Sequence, residues 1–216
     1  MEAQLHTVSE EKKLYNIAYW LGIFTIVYNL VEGIIATLLG YEDETLALFG
    51  FGLDSFIEMI SGMGIVYMIM RIRKNPDSER SEFEKTALKI TGYSFYALVA
   101  GLTITSIINI INTHKPNTTF WGVVISTISI LVMIGLLYGK IKVGKELNSA
   151  PILADASCTK ICIYMSCILL ASSGIYELTG FVYADSIGTL GLAWFSLQEG
   201  RECFEKVRNN EACCKH

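Results

Sequence analysis

The run Thr45–Met70, TLALFGFGLDSFIEMISGMGIVYMIM, decides the fold. It holds no lysine, arginine or proline, and only two charged residues, Asp54 and Glu58. About 20 apolar residues in helical form cross a hydrocarbon core of roughly 30 Å, and this stretch is longer than that. Period-2 alternation is missing and the run far exceeds a barrel strand, so a membrane helix is the reading.

Working outward, five further blocks share this character: Leu14–Gly40, Thr86–Asn112, Phe120–Gly139, Ile152–Gly180 and Val182–Val207. The first two spans are separated by Tyr41-Glu42-Asp43-Glu44, the last two only by the turn around Gly180. The chain of 216 residues is 52% hydrophobic with a mean hydropathy of +0.43. An all-α integral membrane protein with six transmembrane helices follows. A net charge of −4 argues against a nucleic-acid surface or a basic peripheral anchor. The first apolar block is too long for the core of a leader and reads as a retained span.

Charge sets the expected orientation. Lys12 and Lys13, then Arg71, Arg73, Lys74, Arg80, Lys85 and Lys89, then Lys140, Lys142 and Lys145, and finally Arg201, Lys206, Arg208 and Lys215 all fall on one side. Of the rest, Lys115 lies in an odd-numbered connection and Lys160 inside the fifth span. The positive-inside rule then places both termini in the cytosol. The expected organisation is a cytosolic N-terminal segment 1–13, a six-helix transmembrane domain 14–207 and a short cytosolic Cys/His tail 208–216.

Asp54 and Glu58, spaced i, i+4, share one helix face. A carboxylate costs about 2.5–3.5 kcal/mol at the centre of an inserted helix, and two like charges a turn apart cost more unless a cation or a proton intervenes. Metal binding and proton carriage both answer that cost; a water-filled vestibule or pairing with Lys160 would also answer it. Cys158 and Cys162 repeat the same spacing in the fifth span, and thiolate pairs take borderline or soft ions. Isolated buried cysteines usually pack as small hydrophobes, but depth brings these two into play. Helix two enters from outside and helix five from the cytosol, which puts both pairs about 10–20 Å from their entry faces. Two oxygen and two sulfur donors on facing helices make a tetrahedral metal site from Asp54, Glu58, Cys158 and Cys162.

Other residues are accessory candidates. Glu32 lies near the outer end of helix one, with Asn29 three positions earlier, and both are expected to face the interior. Lys160 pairs with Asp155 or snorkels toward the cytosol; between two cysteines it would also favour thiolates. Asp185 reads as a cap at the start of helix six. Small residues at Ser55, Ser61, Gly62 and Gly64, and at Ser172, Ser173 and Gly174, allow close helix approach. Cys213, Cys214 and His216 could catch a soft metal on the tail, where a reducing cytosol argues against disulfides.

These residues resemble the cation diffusion facilitator family along the whole chain. Asn29-Leu30-Val31-Glu32-Gly33 is similar to its first helix. Thr45-Leu46-Ala47-Leu48 with Gly52-Leu53-Asp54-Ser55 is similar to its entry into helix two. Val143–Ser149 with Leu153-Ala154-Asp155-Ala156 resembles its approach to helix five, and Asp185-Ser186-Ile187-Gly188 with Glu199-Gly200 its sixth helix. The resemblance implies metal ligands at Asp54, Glu58, Cys158 and Cys162. It places cysteines where the family usually has His and Asp, which keeps the spacing and softens the donors.

A short form without the family's C-terminal cytosolic domain is expected, dimerising through membrane helices. The implied function is export of a divalent transition or heavy metal, Zn²⁺, Cd²⁺ or a softer ion such as Hg²⁺ or copper, from the cytosol. Alternating access with proton antiport, across a plasma (bacterial inner) membrane, is the implied mechanism. Lipid and the metal are the expected partners, with no permanent cofactor and no enzymatic activity. A non-transporting metal sensor on the same scaffold and a membrane thiol oxidoreductase using Cys158 and Cys162 are the rival classes.

Overall fold

A computed structural model describes residues 2–42, 46–74, 80–112, 120–179 and 184–209. All but a short turn of this is helix: α1 (Glu2–Glu42), α2 (Leu46–Lys74), α3 (Arg80–Asn112), α4 (Phe120–Glu146), α5 (Ala150–Thr179) and α6 (Ala184–Arg208). Five of the six are long and apolar enough to cross a membrane. Among the described residues α6 falls short because Glu199, Arg201, Glu202, Glu205, Lys206 and Arg208 crowd its C-terminal half. Four helices overrun the spans expected of them, α2 by one turn to Lys74. α1 continues back through the polar residues before Leu14, α3 begins at Arg80, and α4 runs past Gly139 to Glu146. Helix geometry persists beyond the apolar stretch because the flanking residues are mostly good helix formers with no proline to stop them, and α4 passes through Gly144 before it ends.

The bundle is inverted relative to a water-soluble one. Trp20, Val31, Ile34 and Leu38 of α1 and Leu131, Ile134 and Tyr138 of α4 face outward, whereas Asn29, Ser55, Ser61, Thr91, Ser126, Ser129, Thr159 and Ser196 are buried. Where the surroundings are hydrocarbon, apolar side chains gain nothing by facing inward, and polar ones find partners only inside. A core of Phe51, Leu88, Phe95, Leu102, Met133 and Ile161 ties α2 to α3, α4 and α5. A second cluster, built on Tyr15, Ile65, Met68, Ala87, Val143 and Ile152, closes the end that carries the basic connections.

α1 packs along α2, α3 along α6 and α4 along α5. The α1–α2 seam depends on small residues. A methyl on Gly52 would collide with the Thr37 hydroxyl oxygen and stand 2.7 Å from the Thr37 nitrogen and 3.0 Å from the Gly33 carbonyl oxygen. Gly62 meets Thr25 in the same seam, while Gly64 meets Ile90 of α3. A methyl on Gly174 would meet nothing within 4 Å among the described residues, and the side chains of Ser172, Ser173 and Asp185 lie outside those described. On the other flank Phe204 of α6 stacks on Tyr96 and meets Tyr93 edge-on, with ring centroids 5.3 and 5.1 Å away.

The α4–α5 hairpin is the tightest connection. Asn148 takes a left-handed conformation with φ of 48°, which asparagine tolerates better than most residues. Its N–H bonds the Lys145 carbonyl and the Ser149 N–H bonds the Gly144 carbonyl, closing α4. The Ser149 carbonyl then accepts from the Leu153 N–H as α5 starts. This turn fixes the register between α4 and α5, which matters for the charges below.

Gly52→Ala is expected to lower stability by about 1–3 kcal/mol through overpacking of the α1–α2 seam. Gly101→Ala, where an added methyl meets nothing within 4 Å, should be neutral or slightly stabilising. Thermal unfolding of the two purified variants in detergent checks the contrast.

Candidate metal centre

α2 and α5 lie against one another, and their polar residues meet in the middle of the bundle. Asp54, Glu58, Cys158 and Cys162 are all buried, at 3%, 1%, 4% and 1% exposure. The Cys162 thiol lies beside the Asp54 carboxylate. One turn away the Thr159 hydroxyl donates to Glu58 Oε1. Asp54 therefore stands opposite Cys162, and Glu58 opposite the turn containing Cys158 and Thr159, as antiparallel helices of matched depth require. Among the described residues, Asp54 Oδ2 and Glu58 Oε2 are buried with no hydrogen-bond partner. An orphaned carboxylate oxygen in such surroundings is costly and is a natural position for a cation.

Among the described residues no three of His, Cys, Asp and Glu converge into a group that would hold an ion at once. Glu58 is instead held by a side chain assigned above to a connection. Lys140 of α4 is 2% exposed, and its ammonium lies 2.8 Å from Asp155 Oδ2 and 3.6 Å from Glu58 Oε1. It also donates to Thr159 Oγ1 at 2.7 Å. Ser61 of α2 donates to Asp155 Oδ1 at 2.7 Å, and Thr91 of α3 stands 3.1 Å from Ser61. Since the Ser61 proton goes to Asp155, the Thr91 hydroxyl is the donor in that second contact. Two carboxylates, one ammonium and three hydroxyls thus link α2, α3, α4 and α5.

Lys160 does not pair with Asp155. Five residues along a helix turn the side chain by about 140°, so Lys160 faces away from Asp155 and from both cysteines. It reaches toward α6, 3.8 Å from Glu199 Oε1, with its ammonium 5.1 Å from the centre of the Phe195 ring. The charge near Glu58 and Cys158 is Lys140. Two signals in the sequence pointed there. Lys140 continues the stripe Ser126, Ser129, Met133 and Leu136, which is the buried face of α4. It also lies only 15 residues before Asp155, across a hairpin too short to let the two helices separate.

Glu32 belongs to the same interior but to a different set of bonds. It accepts from Tyr28 at 2.9 Å and from Ser55 of α2 at 3.0 Å. Asn29 is fully buried beside it, donating to the Thr25 carbonyl. Ser55 follows Asp54 in sequence, so Glu32 tethers the segment that carries the first carboxylate of the site. Cys167 and Cys203 are free thiols away from it. Cys213, Cys214 and His216 lie outside the described residues.

The two lysines should behave differently on neutralisation. Lys140→Met strands Asp155 in the interior and is expected to cost about 3–5 kcal/mol. Lys160→Met removes a longer, partly exposed contact and should cost less than about 1 kcal/mol. Thermal unfolding midpoints of both variants in the same detergent compare them.

No curated protein matches the sequence. Residues 20–208, which run from within α1 to the end of α6 and include both halves of the buried polar centre, match the cation efflux transmembrane domain. The chain belongs to the cation efflux, or cation diffusion facilitator, family and is a multi-pass membrane transporter of metal cations.

Proposed function

We propose that the chain exports a borderline or soft divalent metal, Zn²⁺, Cd²⁺ or Hg²⁺ in character, from the cytosol through a site formed by Asp54, Glu58, Cys158 and Cys162. The observation that carries this reading is the pair of orphaned oxygens, Asp54 Oδ2 and Glu58 Oε2, beside two buried thiols. Two oxygen and two sulfur donors suit a tetrahedral ion at about 2.0–2.3 Å. Thiolates in place of imidazole and carboxylate shift preference toward softer metals, copper included.

Loading requires Glu58 and the thiols to rotate together around the ion, since among the described residues the four groups do not already converge on one point. Release returns each to its partner. The thiols lose protons to bind metal and regain them when it leaves, which supplies a chemical basis for exchanging metal against protons. Alternating access then comes from helices rocking about a fixed midplane site. By family resemblance the transporter works as a homodimer joined through membrane helices, in the plasma membrane, with both termini cytosolic.

Reconstituted into liposomes, the protein should carry Zn²⁺ or Cd²⁺, and Asp54→Ala or Cys158→Ala should each abolish the flux. Full flux in both variants would remove the assignment. The double substitution Cys158→His with Cys162→Asp should keep transport while moving the preference from Cd²⁺ toward Zn²⁺, read as the ratio of initial rates in a metal panel.

A further inference from the structure

We propose that Lys140 is a tethered cation that competes with the transported metal for Glu58, and that Asp155 is the carboxylate to which its ammonium withdraws when metal binds. The inference rests on the metal-site reading above and concerns what governs affinity at that site.

The geometry is asymmetric in the way such a device needs. The ammonium stands 2.8 Å from Asp155 Oδ2, a hydrogen-bonded ion pair, and 3.6 Å from Glu58 Oε1, an ion pair without a hydrogen bond. Asp155 is held in place by the Ser61 hydroxyl, itself supported by Thr91. Glu58 has one oxygen engaged and the other, Oε2, without a partner. Glu58 is therefore the looser of the two carboxylates. Thr159 sits between them, accepting from Lys140 and donating to Glu58, so a single hydroxyl couples the position of the ammonium to that of the carboxylate.

Charge favours the same conclusion. A divalent ion at Glu58 would stand close to the Lys140 ammonium in surroundings that screen poorly, and the repulsion weakens metal binding. Asp155 offsets part of it by retaining the ammonium. The pair thus sets affinity low enough for an ion to leave, and between cargo ions the nearby ammonium offsets part of the Glu58 charge. Lys140 acts through Glu58, so it is a positioning residue rather than a ligand.

The test is equilibrium binding of Zn²⁺ and Cd²⁺ to the full chain in detergent, by competition with a chromophoric chelator at fixed pH. The double variant Lys140→Met with Asp155→Asn removes competitor and anchor together and leaves Glu58 as the one carboxylate of the group, still accepting from Thr159. Its affinity for Zn²⁺ should rise by about tenfold or more. Cd²⁺ should gain less, because its affinity rests more on the two sulfurs. Asp155→Asn alone forces the ammonium onto Glu58 and should weaken Zn²⁺ binding by a similar factor, with Lys140→Arg near the parent value.

A purely structural lysine would lower the unfolding midpoint in these variants without moving affinity in opposite directions. Shifts of the same sign, or no shift, in protein that still binds metal would overturn the inference and leave the metal site standing. Failure of the parent protein itself to bind either ion would overturn both. If the double variant does not fold, Asp155→Asn against the parent remains decisive, since unchanged or tighter binding there contradicts the inference.

Discussion

The ammonium of Lys140 is the constraint around which the interior is arranged. A lone charge in a membrane bundle is expensive, and so is each carboxylate it faces. Asp155 and Glu58 are tolerable because they share that one ammonium, and the ammonium is tolerable because Thr159 and Asp155 take its hydrogens. The two acidic residues come from α2 and α5, the base from α4, and the supporting hydroxyl of Thr91 from α3. Four helices therefore cannot be rearranged independently. Their crossing is pinned by a group that no hydrophobic substitution reproduces.

The remaining two helices attach by different means. α1 is fastened to α2 by close backbone approach at Gly33 and Gly52 and by the Glu32 contact with Ser55. α6 is fastened to α3 by aromatic packing around Phe204 and touches α5 through the Lys160–Glu199 pair. Stacked rings and a long ion pair resist sliding less than a buried hydrogen-bonded network does. The α3–α6 flank is thus joined to the polar centre chiefly through Thr91, whereas α2, α4 and α5 form its walls.

Much of this was legible in the amino-acid order. Blocks of apolar residues longer than a bilayer is thick leave only helices, and i, i+4 spacing put Asp54 with Glu58 and Cys158 with Cys162 on shared faces. Burial of Glu32 and Asn29 followed from the same periodicity. Lys140 was not read correctly, because a lysine just past an apolar block is ordinarily a membrane-interface anchor and one residue's assignment depends on where its helix stops. α4 does not stop at Gly139, and the overrun converts an anchor into a buried counter-charge. Lys160 failed in the opposite sense: it lies within an apolar block by position, but helical phase turns it toward α6. Hydropathy reports depth along a span, while direction around the helix needs the neighbouring helices.

The position of Lys140 at the far end of α4 also bears on how the protein is made. Chain order brings α2 into the membrane first, then α4, then α5, and N-terminal parts settle before C-terminal ones emerge. Glu58 is already in place when Lys140 arrives, while Asp155 follows after the Asn148 turn. A lysine at the middle of its span would have to wait for its second partner in lipid. Near the end of its helix, Lys140 is separated from Asp155 only by the last turns of α4 and the hairpin. The last charge to be synthesised is thus the one nearest in sequence to the base it pairs with, and the tight hairpin sets it against Lys140.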